Sequence, residues 1–173
     1  MIITISGPPG SGKSTLSKRL SGKLGMEHIS VGDIFRKMAE DRCMSLEEFG
    51  VLASSNDVID RKLDEAQKKI AKEKDNIILE GRLSGFLVDA DLKIWLKTSL
   101  ETRAERIANR ENKDLSSALD ETSKRSRCEA GRYLDYYNID VSDLSVYDLV
   151  IDSGKWNPDE ITEIVAKAVS YLS

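Results

Sequence analysis

With 173 residues and no linker-like stretch, the chain is sized for one domain that buries roughly two thirds of the surface its unfolded form exposes. Its net charge of -4, with 32% charged residues, excludes a broad basic face for nucleic acid. No apolar run approaches the about 20 residues of a membrane span, so a cytoplasmic protein with no membrane or nucleic-acid partner is expected. Cys43 and Cys128 stand 85 positions apart and His28 is the one histidine, which argues against a zinc site and against Ser/His or Cys/His nucleophilic catalysis. At the start of an expected strand, His28 reads as structural.

Residues 2–6 alternate and are rich in β-branched side chains, so they predict a strand; a glycine-rich turn follows and leads into a helix from about Lys13 to Leu24. Further strands are expected at 27–29, 76–80, 92–96 and 148–151, most of them separated by helical pattern. That alternation predicts an α/β fold, a mostly parallel sheet with helices on both faces. Internal repeats and low-complexity tracts are absent from the sequence. Two helical regions, 33–74 and 100–137, are longer than one crossover requires, and each is a candidate for a substrate-covering element. At the end of the chain Asn157 is placed to cap a helix, with Pro158 in its first turn and Glu160 completing a capping box. The stripe Ile161, Ile164, Val165, Ala168, Val169 and Leu172 then gives that helix one face for the sheet.

The turn after the first strand, Gly7-Pro8-Pro9-Gly10-Ser11-Gly12-Lys13-Ser14, has the spacing of a phosphate-binding loop in the strand-to-helix context that the chemistry needs. Glycines let backbone N–H groups curl around phosphate oxygens, and the following helix directs its positive end at the same anion. Lys13 is expected to reach the β- and γ-phosphates of ATP, and the Ser14 hydroxyl to ligate Mg²⁺. Glu80, at the end of a buried strand, is placed to hold the same Mg²⁺ through water. A GTPase would carry Asn-Lys-x-Asp, whereas Asn112-Lys113-Asp114 sets the acid one position early.

Six of the eleven arginines fall between 103 and 132. Arg103, Arg106 and Arg110 share one helix face, and Arg125 and Arg132 share another with Glu129 between them. Guanidinium forks match phosphate oxygens in pairs, so facing arginine helices suit phosphoryl transfer, although Arg110 with Asp114 and Arg125 with Glu129 also fit surface ion pairs. Arg103 and Arg106 have no acid three or four positions away, which favours an external anion. Arg36, after Gly32-Asp33, and Arg82, after Glu80-Gly81, fall at the sheet edge where a second phosphate would be clamped. A phosphate acceptor is already ionised at neutral pH and requires no base; an alcohol acceptor would need one, and Asp33 is the candidate. A nucleoside monophosphate kinase, a small-metabolite kinase and an ATP-sensing interaction module all remain open on these residues.

The segments Gly7 to Thr15, Val31-Gly32-Asp33-Ile34-Phe35-Arg36, Ser45-Leu46-Glu47-Glu48-Phe49-Gly50, Leu79-Glu80-Gly81-Arg82, Asp91 to Leu96, and Arg125 to Arg132 with Tyr133 together resemble the archaeal-type cytidylate kinases of the adenylate kinase-like group, over nearly the whole chain. The resemblance implies a P-loop NTPase core with a five-stranded parallel sheet of order 2-3-1-4-5. It implies a core of 1–32, 75–105 and 140–173, a helical monophosphate-binding region at 33–74, and a short lid with the arginine helices at 106–139. ATP and CMP or dCMP would be the ligands and the chain a monomer. Gly7, Pro8, Pro9, Gly10, Ser11, Gly12, Lys13, Ser14 and Thr15 would hold ATP, with Arg106 flanking the adenine. Arg110, Arg125 and Arg132 would touch the transferring phosphoryl group, and Arg36 with Arg82 the CMP phosphate. Asp33 and Glu129 would border the acceptor, and Asp57, Asp60 and Arg61 would read the base. Asn138 stands where the pattern expects glycine, and Gly131 is a candidate bend in the arginine helix.

Overall fold

A parallel sheet of five strands, β1 (Ile2–Ser6), β2 (Glu27–Ser30), β3 (Ile77–Glu80), β4 (Leu92–Lys97) and β5 (Leu149–Asp152), runs in the order β2-β3-β1-β4-β5. These coordinates are a computed structural model that describes residues 1–55 and 57–172; the side chains of Leu46, Glu47 and Ser54, two of them in the segment 45–50 quoted above, lie outside the described set. The order reverses direction at β1, so the carboxyl ends of β1, β3 and β4 form the crevice where ligands of open α/β sheets bind. Register pairs both Ile5 and Ser30 with Glu80, and Ser6 with Trp95, which brings the glycine turn, Glu80 and the chain after β2 to one edge.

Each β1 side chain from Ile3 to Ser6 is buried, as a strand covered on both faces requires. Ile3, Ile5, Ile94 and Leu96 pack under α1 (Lys13–Leu24) and α8 (Pro158–Val169), through Leu16, Leu20, Ile161 and Val165. On the other face Leu79 and Val31 meet Leu63 and Ala71 of α4 (Asp57–Glu73) and Leu87 of the short α5 (Ser84–Leu87). Asn157 and Glu160 form the expected capping box of α8. Ile164 and Leu172 of its expected apolar stripe are exposed, because the buried face is centred on Ile161, Val165 and Val169 and Leu172 lies beyond the helix end.

The region 33–74 divides into α2 (Val31–Glu40), α3 (Leu46–Ser54) and α4. Gly32-Asp33 is the first turn of α2 instead of a loop, since the Ser30 hydroxyl accepts from Asp33 N and starts the helix two residues early. Cys43 takes a left-handed φ of 54° after α2, and Ser45 with Glu48 forms a capping box that opens α3. Phe35 and Phe49, with ring centroids 4.8 Å apart, give α2 and α3 a small core of their own. The region 100–137 divides into α6 (Leu100–Glu111) and α7 (Leu115–Tyr137) at left-handed Asn112, with Asp114 capping α7. Helix α7 runs unbroken through Gly131, and Asn138 ends it in the left-handed conformation expected of an asparagine there.

Candidate active site

Gly7, Gly10 and Gly12 take φ of 149°, 77° and 94°. A Cβ on Gly7 would lie 2.4 Å from the Leu96 carbonyl, and one on Gly10 2.7 Å from that of Arg103, so β4 and α6 press on the loop and leave room for glycine alone. The first amides of α1 have no partners within the helix, the arrangement by which helix N-termini bind anions. Lys13 Nζ folds back onto the carbonyls of Gly7 and Pro8, both at 2.9 Å. Burial lowers the Lys13 pKa well below the ordinary lysine value, and the nearby Arg82 guanidinium lowers it further, against Glu80 and Glu129. An anion placed here would relieve both effects.

Ser14 Oγ donates to Glu80 Oε1 at 2.5 Å, and His28 Nε2 lies 2.9 Å from Glu80 Oε2. A carboxylate only accepts, so Nε2 is the protonated nitrogen. Burial pushes the Glu80 carboxyl up, but the His28 and Ser14 hydrogen bonds and the charge of Lys13 outweigh it and hold the group below its ordinary value. A hydroxyl and an ionised carboxylate side by side at the mouth of a phosphate loop are the hard oxygen donors that suit Mg²⁺, which keeps most of its waters. His28, expected to be structural, is thus a partner of the candidate metal carboxylate. Its offset from Glu80 in the β2-β3 register is invisible before the strands are paired.

A cleft opens between the loop and α7, lined by Gly7, Pro8, Pro9, Arg82, Trp95, Arg103, Ser126, Glu129, Ala130, Tyr133 and Val141. Glu129 bridges two cations there: its Oε2 is 3.1 Å from Arg82 Nη1 and its Oε1 accepts from Arg125 Nε at 3.0 Å. Arg132, one turn on, pairs with Asp60 of α4 at 2.9 Å. The structure therefore gathers Lys13, Arg82, Arg125, Glu129, Arg132 and Asp60 over the carboxyl ends of β1 and β3.

Arg103 and Arg106 have internal partners. Arg103 is buried, donating to Ser126 Oγ at 3.0 Å and to Pro9 O at 3.4 Å. Arg106 reaches Gly10 O at 3.3 Å, Ser153 Oγ at 3.0 Å and Ser153 O at 2.6 Å. Lacking acids three or four positions away, the two hold the loop's carbonyls, a role that becomes visible only once α6 is packed on the loop. Arg110 turns outward, its side chain 64% exposed, and pairs with Glu111 at 2.6 Å; Asp114, its other candidate partner, caps α7. Arg36 and Asp33 pair with each other at the solvent edge, and Arg61 pairs with Asp57 at 2.7 Å. Thr15 is exposed at the start of α1, whereas Ser11 is buried and its Oγ has no hydrogen-bond partner.

A loop of this geometry after the first strand of a 2-3-1-4-5 sheet, facing arginines from separate segments, defines the chain as a P-loop nucleotide-binding protein. The sequence profile of the cytidylate kinase-like family matches residues 2–155, and the chain belongs to that family. It is 51% identical over 172 residues to the cytidylate kinase of Methanocella arvoryzae, covering 99% of this chain and 98% of the relative. It is 53% identical over 172 residues to the cytidylate kinase of Methanothrix thermoacetophila, covering 99% of both. A solved structure of an uncharacterized protein from Eubacterium ventriosum shares the fold, with a TM-score of 0.73 at 21% identity and 98% coverage of both chains.

Proposed function

We propose that the chain transfers the γ-phosphoryl group of ATP to the phosphate of CMP or dCMP, giving ADP and CDP or dCDP. The observation that carries this reading is that Arg82, from the end of β3, lines the cleft beside Gly7, Pro8 and Pro9 of the phosphate loop and stands near enough to Lys13 for the two charges to act on each other. Relatives at 51% and 53% identity bearing the name cytidylate kinase supply the acceptor.

In this reading residues 7–15 seat ATP and Arg106 flanks its adenine. Lys13 neutralises the β- and γ-phosphates, while Ser14 and Glu80 hold Mg²⁺. When bound, that ion draws charge from the phosphate oxygens and aligns them. Arg82 releases Glu129 and takes the acceptor phosphate, with Arg36 and Asp33 at the same rim. Arg110, Arg125 and Arg132 close on the transferring group when the junction of α6 and α7 folds over the nucleotide as a lid. The acceptor region 33–74 contributes Asp57, Asp60 and Arg61 around the nucleoside. An acceptor phosphate with a second pKa near 6 attacks without a base. This agrees with the committed hydrogen bonds of His28 and Asp33. Among the described residues no helix is long and apolar enough to cross a membrane, and a cytoplasmic monomer is the reading adopted. Release of ADP from ATP and Mg²⁺ measured against a panel of monophosphates tests it: CMP and dCMP accelerate release, and indifference to every monophosphate contradicts it.

A further inference from the structure

Every backbone carbonyl of the phosphate loop from Gly7 to Gly12 is held by a donor. Lys13 Nζ takes those of Gly7 and Pro8, Arg103 Nη1 reaches Pro9 O at 3.4 Å, Arg106 Nη1 reaches Gly10 O at 3.3 Å, and Leu16 N donates to Gly12 O at 3.1 Å. The remaining one, Ser11 O, accepts from the Ser153 hydroxyl at 2.7 Å, the shortest contact of the set. Ser153 belongs neither to the loop nor to the helices beside it, but follows the edge strand β5.

Ser153 is buried and fixed from several sides. Its N–H donates to Lys97 O at 2.9 Å, which continues the β4-β5 ladder past Asp152. The turn behind it is tight, since a Cβ on Gly154 would lie 2.6 Å from the Thr98 hydroxyl. Arg106 donates to Ser153 Oγ at 3.0 Å and to Ser153 O at 2.6 Å. A guanidinium only donates and a carbonyl only accepts, so the Ser153 hydroxyl proton is directed at Ser11 O.

The Ser11–Gly12 peptide has little else to hold its orientation. Gly12 sits at a φ of 94°, and a glycine on one side of a peptide makes rotation of that peptide cheap. In a trans peptide the carbonyl and the following N–H point to opposite sides. Anchoring Ser11 O to the end of β5 therefore turns the Gly12 N–H away from β5, at the N-terminus of α1 where an anion is favoured. We infer that Ser153 is a positioning residue for the phosphoryl donor: it holds the Ser11–Gly12 peptide so that the Gly12 N–H meets the polyphosphate, and the same hydroxyl fixes the Arg106 guanidinium. It acts through the loop and touches no reacting atom. The inference rests on the loop seating the phosphates of ATP, as proposed above.

The test is the affinity for tripolyphosphate and for ADP, measured by calorimetry with Mg²⁺, together with steady-state kinetics on ATP and CMP. The proteins are the full-length wild type, Ser153→Ala and Ser153→Thr, with Ser21→Ala as control, which removes another serine-to-carbonyl bond at the far end of α1. Tripolyphosphate carries no base and so reads the loop alone. Ser153→Ala is expected to weaken both ligands by about tenfold or more, the usual worth of one N–H bond to a charged oxygen. It is expected to lower kcat by about tenfold to a hundredfold through the misplaced donor, with KM for CMP within about twofold of wild type. Ser153→Thr, which keeps the hydroxyl, restores most of the affinity, and Ser21→Ala leaves it unchanged whatever its unfolding midpoint. Tripolyphosphate affinity within about twofold of wild type in Ser153→Ala overturns the inference, as does an equal loss in Ser21→Ala at an equal drop in midpoint. Wild-type protein that binds neither ligand would instead overturn the seating of ATP on the loop.

Discussion

Asp60 Oδ2 and Arg132 Nε stand 2.9 Å apart, both largely buried, and this pair ties α4 to α7 across the mouth of the cleft. Removing one partner of a buried pair leaves a charge without its counterion, which costs about 3–5 kcal/mol. Burial pushes the Asp60 carboxyl up against the pull of Arg132, so the pair is far from optimal and the lower end applies. Arg132→Met leaves the Asp60 carboxylate buried without its counterion and is expected to destabilise the fold by about 3 kcal/mol, read as a lowered denaturant midpoint at unchanged slope. A midpoint equal to wild type would show that the two residues are not coupled.

Lys13 lies against its own loop carbonyls, where burial and then the Arg82 guanidinium lower its proton affinity against Glu80 and Glu129. Lys13→Met is expected to keep the fold, because it removes an ammonium whose charge burial and Arg82 disfavour, and to lower kcat by about 10²–10³ as removal of one preorganised donor does. Single-turnover rates together with the unfolding midpoint check this. A variant with near-normal kcat would place the phosphoryl group elsewhere.

His28 fixes the second oxygen of Glu80. His28→Leu is expected to raise the Mg²⁺ concentration needed for half of the ADP-induced thermal stabilisation by about tenfold, the usual effect of removing a hydrogen bond behind a metal-holding group. His28→Gln, which keeps a donor, restores most of it. Identical Mg²⁺ titrations for all three proteins would show that the contact does not bear on the ion.

Burial pushes the Asp64 carboxyl up to about 6, with the Tyr137 hydroxyl, Lys68 and Arg132 opposing and Asp60 adding to the rise. A carboxyl that binds its proton more tightly folded than unfolded contributes stability that is present at low pH and lost as pH rises between about 4 and 6. Asp64→Asn is therefore expected to flatten the stability profile over that interval, by on the order of 3 kcal/mol.

The strands, the phosphate loop and the ends of most elements were legible because they rest on local rules, such as β-branched alternation, glycine spacing and the Asn157 cap, whereas the strand order came from the family resemblance. Arginine roles were less so. Arg103 and Arg106 had no acid three or four positions away, which suggested a ligand, but their partners include the loop carbonyls of Pro9 and Gly10, which only tertiary packing brings near. Asp64 and Gln67 escaped notice for a related reason: polar residues in a charged helix read as its wet face, and only the neighbours Ile59 and Leu63, taken with the packing of α5, show that they point inward. The resemblance pointed instead to Asp57 and Arg61, which the structure leaves at the surface as an i,i+4 ion pair.

The transfer itself is tested most directly with ATP labelled at the γ-phosphorus, mixed with CMP, Mg²⁺ and the protein. The label is expected in the β-phosphoryl group of CDP, in amounts matching the ADP formed and absent with Lys13→Met. Label found only in inorganic phosphate, at a rate indifferent to CMP, would contradict the meeting of two phosphates between the glycine loop and Arg82.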